Sequence, residues 1–297
     1  MTTTQLLSRR RFLEVSTLTA LGCSLPQMAR CASSNNVTAR NLVQEIQKYL
    51  GAAPGYTSVR DSFKAGNPGI VVNGAAMTFM STLDVLQRAH AAGLNFVITH
   101  EPTIWSDADT VSDVELDPLY KHKMHFIESN GMAVWRIHDL WHAQQPEPMS
   151  DAEGKLLDWN RYLMPGSHGY YRVYKLPRTP LKTVAEYLAT KLNTRSVRLV
   201  GDPNLMIETL AHGSHGLEGN IKGLEAADAV MIGEARDWDS MEYIRDLSAS
   251  GQKKGAIVIA HEASEEEGMK YFTQWFRSHF ASVRAEFIPT TDRLWIA

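Results

Sequence analysis

Residues 95–101 read NFVITHE, and this stretch decides the architecture. Its first five residues form a short apolar run without strict alternation, the pattern of a strand buried on both faces of a parallel sheet. His100 and Glu101 follow directly, and Pro102, which has no amide hydrogen to give to a ladder, stops the strand. Working outward, comparable runs recur at 132–137 (MAVWRI), 229–232 (AVMI) and 256–260 (AIVIA). Helical patterns separate them. Leu42, Val43, Ile46 and Leu50 mark one helix face, Ser81-Thr-Leu-Asp84 reads as a capping box for a helix closed by Gly93, and a helix around 115–130 ends at Gly131. A further strand is predicted at 69–73, between Pro68 and Gly74.

The second half repeats the alternation. Strands are predicted at 170–176, 196–200 and 206–211, and helices at 217–226 and 238–248. Thr179-Pro180 is read as the cap of a helix with Leu181, Val184, Leu188 and Leu192 on one face. Ser264-Glu-Glu-Glu267 is read as a second capping box, before a C-terminal helix with the core stripe Met269, Phe272, Phe276 and Phe280. The proline-bearing stretch 143–168 is a connection with one helix near 151–162. This order predicts an α/β protein of two linked α/β sandwich halves of similar topology, at 37–145 and 168–297, with mostly parallel strands. The halves can be superposed in sequence: NFVITHE on DAVMIGE (228–234), and WRIHDLWH (135–142) on IVIAHEASE (257–265).

Composition narrows the function classes. The chain has 297 residues, 44% apolar and 21% charged, with a formal charge of −3, which excludes disorder and a bundle of membrane spans. Residues 8–14 read SRRRFLE, followed by a mildly apolar run of about 11 residues, too short to span a bilayer. Basic, apolar and small-residue regions in that order are those of an export signal, and Ser8, Arg9, Arg10, Phe12 and Leu13 resemble the twin-arginine motif. Residues 1–33 are therefore read as a twin-arginine signal peptide, delivering a periplasmic or otherwise exported protein through the twin-arginine machinery. Both cysteines lie within this leader, so the body has no disulfide, thiolate metal site or cysteine nucleophile. The body is net acidic and lacks a Lys/Arg run, so no nucleic-acid partner is expected.

Polar residues gather where buried strands end. His100 and Glu101 follow the first run, His138 and His142 the second, and His261 and Glu265 the last. Ligands of open α/β sheets bind outside the carboxyl ends of strands, so these turns can converge. Imidazole and carboxylate suit zinc, iron or manganese, and four histidines with two carboxylates suit two divalent ions better than one tetrahedral ion. Two such ions can clamp both oxygens of a hydrolytic transition state. His122 and His125, beside Lys121 and Lys123, are read as a solvated helix face, and His90 as a helix-end cation. His212 and His215, in HGSHG (212–216), are read as a plain turn ahead of an approach to a ligand phosphate.

The blocks ITHEPTIW (98–105), IHDLWHA (137–143), MIGEARDWD (231–239) and VIAHEASEEEGMKYF (258–272) resemble the signature blocks of the Nif-three-like family of dinuclear metal-centre proteins, some named as homologues of a type-two GTP cyclohydrolase I. The resemblance implies that His100, Glu101, His138, His142, His261 and Glu265 are metal ligands. Glu101 stands where the family has a second histidine, His142 where it has aspartate, and Trp238 where it often has histidine. Glu234 matches a family Gly-Asp/Glu and is the candidate catalytic carboxylate, on the substrate side or behind a ligand. The family also implies a toroidal homohexamer, for which Trp105, Trp135, Trp141 and Trp238 offer aromatic surface. Two functions follow from the sequence: a metal-assisted hydrolase of a small-molecule substrate, or a non-catalytic metal-binding or storage scaffold. No serine, cysteine or lysine nucleophile motif accompanies the cluster.

Overall fold

The computed structural model describes residues 37–290 except 168 and 170. The predicted signal segment lies outside the described residues, and no described helix is long and apolar enough to cross a membrane. The elements are α1 (Ala39–Tyr49), β1 (Phe63–Gly66), β2 (Ala75–Met80), α2 (Leu83–Ala91), β3 (Phe96–Glu101), α3 (Pro118–Ser129), β4 (Ala133–Arg136), α4 (Asp139–His142) and α5 (Pro148–Leu156). They continue with β5 (Val173–Pro180), α6 (Leu181–Lys191), β6 (Arg198–Val200), β7 (Met206–His212), α7 (Leu217–Ala226), β8 (Ala229–Ile232), α8 (Glu242–Ala249), β9 (Gly255–Val258), α9 (His261–His279) and β10 (Ala285–Phe287).

Among the described residues two five-stranded sheets form, ordered β1-β4-β3-β2-β10 and β5-β7-β8-β9-β6. In the first, β10, β2, β3 and β4 run parallel and β1 pairs antiparallel at the edge. In the second, β7, β8 and β9 run parallel between antiparallel β5 and β6. Read from the β1 and β6 edges, four successive strands correspond in order and direction, with β3 on β8 and β4 on β9. The sequence superposition of 95–101 on 228–234 therefore has a topological basis. Central strands β3, β4, β8 and β9 are buried along their whole length, as continuous apolar runs require.

The halves are not separate in the chain. Helix α9 leaves the second sheet, yet its Met269, Phe272 and Phe276 pack with Phe96, Trp135 and Trp141 in the core of the first. Strand β10 then adds to the first sheet beside β2. The second half read as 168–297 thus gives its C-terminal part back to the first, because the apolar stripe of α9 is covered there. At the crossing of α5 and α9, a Cβ on Gly268 would lie 2.8 Å from the Met149 Cα, so the helices approach at a residue without a side chain.

Several local expectations differ. The segment 69–73 makes only an isolated bridge between Thr38 and Val71, and the edge strand is β1. Thr82, not Ser81, caps α2 by accepting from the Val85 amide, while the Ser81 hydroxyl bonds that of Thr103. Ser264 lies inside α9, which starts at His261, and its hydroxyl bonds back to the His261 carbonyl. Thr179 bonds the Pro177 carbonyl and does not cap α6. Lys123 is buried, not solvated, and donates to the Thr103 carbonyl; burial pulls its ammonium down to about 8.

Candidate metal centre

The carboxyl ends of β3, β4 and β9 bring the six sequence-predicted ligands together. His100 and Glu101 close β3, His138 and His142 bracket α4, and His261 and Glu265 occupy the first turns of α9. In an α-helix residues four apart share a face, so the His-xxx-His and His-xxx-Glu spacings each present two donors to one point. The His100 Nε2 is 3.1 Å from the His142 Nε2 and 3.2 Å from the Glu265 Oε2. The Glu265 Oε2 is 3.3 Å from the His261 Nε2, and the Glu101 Oε1 is 3.7 and 3.8 Å from the Nε2 atoms of His138 and His261. Donor-to-donor separations of roughly 3.0–3.5 Å are what a tetrahedral or octahedral shell with bonds of about 2.0–2.2 Å produces.

The other ring nitrogen of each histidine is engaged. Nδ1 donates from His100 to the Ile137 carbonyl at 3.0 Å, from His138 to Asp139 at 3.0 Å, from His142 to Glu147 at 2.8 Å and from His261 to Glu234 at 3.0 Å. A proton held at Nδ1 leaves the Nε2 lone pair for the centre, the usual support of a metal-bound imidazole. Glu147 is also the N-cap of α5, accepting from the amides of Met149 and Ser150, so a helix start fixes the ring of His142. Asp61 accepts from the amides of His138, Asp139 and Leu140 and so fixes the turn carrying His138.

The residues fit a cation. The Nε2 atoms of His100 and His142 face one another, and the buried His261 Nε2 and Glu265 Oε2 meet within 3.3 Å without a hydrogen bond. Burial opposes ionisation of Glu265, but His100, His215 and His261 hold its carboxyl well below the usual carboxylate range. Burial also pulls down His261, yet Glu234, Glu265 and Glu101 outweigh it and push the ring up to about 10. His138 is lowered, first by burial and then by the neighbouring rings of His100 and His142. Among the described residues, three donor groups could hold a metal ion: His100–His138–His142, His100–Glu101–Glu265, and His215–His261–Glu265.

His215 is the donor that sequence reading left as a plain turn. Its ring lies 4.2 Å from that of His261, and its Nε2 3.7 Å from the Glu265 Oε1. Its HGSHG turn leaves β7, whose carboxyl end points to the same place as those of β8 and β9; strand-end position was the available signal. His212, in the same turn, points elsewhere, to the buried Glu153 at 3.0 Å. A cleft of about 850 Å³ opens over the centre, walled by Arg60, Trp105, His138, His215, Glu234 and Arg236. Of the four tryptophans read as assembly surface, Trp135 and Trp141 are core, whereas Trp105 and Trp238 are exposed. The Arg236 guanidinium lies over the Trp238 ring, 4.8 Å from its centroid.

A family model described as Duf34/NIF3 (NGG1p interacting factor 3) matches residues 56–293. The chain belongs to the Duf34/NIF3 family. No curated protein matches it. Similar folds are found in a Bacillus cereus protein related to NIF3 (TM-score 0.70, 11% identity, 88% of this chain and 99% of that one) and a hypothetical protein of Staphylococcus aureus (0.69, 16%, 88% and 99%). Reduced HcgD from Methanocaldococcus jannaschii is similar at TM-score 0.60 and 17% identity, over 84% of this chain and 97% of that one. At such identities the likeness is one of fold. Within this NIF3 fold the donors come from both sheets, and α9 supplies two of them while anchored in the first core.

Proposed function

We propose that this chain is an exported NIF3-family protein that holds two divalent ions and uses them to hydrolyse a small anionic substrate. The observation that carries the reading is the set of four imidazoles whose Nδ1 hydrogens are all engaged and whose Nε2 atoms meet two carboxylates. His100, His138 and His142 would hold one ion and His215, His261 and Glu265 the other, with Glu101 a further carboxylate donor. Zinc, iron and manganese all suit this donor set. Bound there, the ions supply electrophilic charge to a carbonyl or phosphoryl oxygen.

The chain's own groups supply the rest. A structural metal site is closed, whereas this one adjoins a cleft sized for a small molecule. Arg60 and Arg236 on its walls favour an anion, although Asp107 and Asp239 partly compensate them. Glu234 keeps an exposed carboxylate beside His261, held ionised first by the hydrogen bond from that ring, and is the group placed to accept a proton. Export through the twin-arginine machinery and assembly as a homohexamer complete the proposal.

Turnover separates this reading from a metal-storage scaffold. Metal-loaded protein is screened with phosphoester, ester and amide substrates. Hydrolysis that disappears with chelator and in His261→Ala supports the hydrolase. Full loading with no turnover in any class favours the scaffold.

A further inference from the structure

Glu101 is the one donor whose second oxygen is committed to a cation. Its Oε2 accepts from the Arg136 guanidinium at 2.9 Å, while Oε1 faces His138 and His261. Arg136, on β4, is completely buried, and its other nitrogens donate to the main-chain carbonyls of His100 at 2.9 Å and Asp107 at 2.5 Å. Two further carboxylates lie near it, Asp107 at 3.7 Å and Asp109 at 3.6 Å. Each has a closer cation: Arg60 at 2.5 Å for Asp107 and Lys64 at 3.1 Å for Asp109. The pairing leaves the charge of Arg136 to Glu101.

We propose that Arg136 converts Glu101 into a donor equivalent to an imidazole, offering one oxygen and no net charge to the centre. This rests on the metal reading above. The charge-assisted bond from one guanidinium nitrogen occupies Oε2, so Glu101 has only Oε1 to offer the centre while the pair is intact. Because Arg136 also holds the His100 carbonyl, it positions two successive donors from one buried side chain. Arg136 touches no substrate and is a positioning residue.

The test is a double-mutant cycle with Glu101→Gln and Arg136→Met, measured twice. In the metal-free protein Glu101→Gln strands the buried Arg136 charge, and Arg136→Met leaves Glu101 with only the more distant His261 ring as a cation, 3.8 Å away. Each should lower Tm by about 10 °C, and the double variant should lose clearly less than the sum. With zinc or manganese, Glu101→Gln should bind at least about tenfold more weakly, and adding Arg136→Met should recover part of the loss by removing the uncompensated cation. Arg136→Met alone should bind more tightly than Glu101→Gln, since it leaves the carboxylate in place. Additive Tm shifts, or equal metal affinity for Glu101→Gln and the double variant, would overturn the proposal. Wild-type protein that takes up no divalent metal would instead overturn the metal reading, while the metal-free cycle would still decide the pairing.

Discussion

The Nε2 atoms of His100 and His142 face each other across 3.1 Å, although the first residue ends a strand and the second a short helix 42 positions later. Their Nδ1 atoms both donate, to the Ile137 carbonyl and to Glu147, so two lone pairs point at one another. Only a cation or a shared proton makes that arrangement favourable. The pair thus marks a place built for positive charge.

Glu147 has two tasks, capping α5 and orienting His142, and Glu147→Ala should remove both. Loss of a cap costs about 1 kcal/mol, and loss of an orienting partner about 10–100-fold in metal affinity. Thermal melting of stripped protein and competition against a chelator measure the two effects. Unchanged affinity would show that His142 does not need its partner.

His261, pushed up to about 10, carries a proton at neutral pH in the metal-free protein. Metal must displace it, so loading at pH 7 should release about one proton from this ring and weaken as pH falls. Calorimetry in two buffers of different ionisation enthalpy reads the release directly. The same heat in both would refute it.

Burial pulls His212 down, but Glu153, 3.0 Å away, outweighs burial and the ring is raised above its ordinary value. A raised folded pKa contributes stability that is complete below the unfolded value of about 6.5 and is lost as pH rises through the folded one. Unfolding free energy should therefore decline above neutral pH, by at most about 1.4 kcal/mol per pH unit for this group. Denaturant titrations of Glu153→Gln should show a shallower decline. An identical slope would remove the pair from the account.

A Cβ on Gly268 would press on the backbone of Met149, so Gly268→Ala should force α5 and α9 apart. The expected cost is about 1–3 kcal/mol, with weaker metal retention because α9 carries His261 and Glu265. Chemical denaturation and metal analysis of one preparation test both. A stable variant with full metal would uncouple the helix contact from the site.

If the proposed twin-arginine export takes place, its order relative to folding should set metal identity. Histidine and carboxylate sites favour copper or zinc wherever these are accessible, so folding around metal before export avoids that competition. Arg9→Lys with Arg10→Lys should leave metal-loaded precursor in the cytoplasm, and rerouting through a signal for unfolded export should alter the metal content. Rerouted protein with the same ions in the same amounts would sink the idea.

Light scattering should return a mass well above that of one chain. With Trp135 and Trp141 in the core, Trp105 and Trp238 are left of that set as aromatic surface for assembly. A mass near 30 kDa at micromolar concentration would defeat the hexamer.

The sequence by itself determined the alternation of buried strands and helices, because short apolar runs such as 96–99 and 229–232, closed by Pro102 and Gly233, suit strands of a sheet covered on both faces. It also showed six histidine and carboxylate side chains following buried strands, and positions beyond parallel strands gather at one edge of the sheet. Caps were less legible: Ser81 and Thr82 are chemically alike, and which one reaches a free amide depends on where the turn closes. Contacts distant in sequence were decided only by tertiary structure. Nothing local tells that α9 covers the first sheet, that Asp61 braces a turn 77 residues away, or that Arg136 lies beside Glu101. His215 became a donor for the same reason: its turn is ordinary in sequence and acquires chemistry because Glu265 and His261 arrive beside it. Periodicity reports which face of an element is buried, and only packing decides which partner buries it.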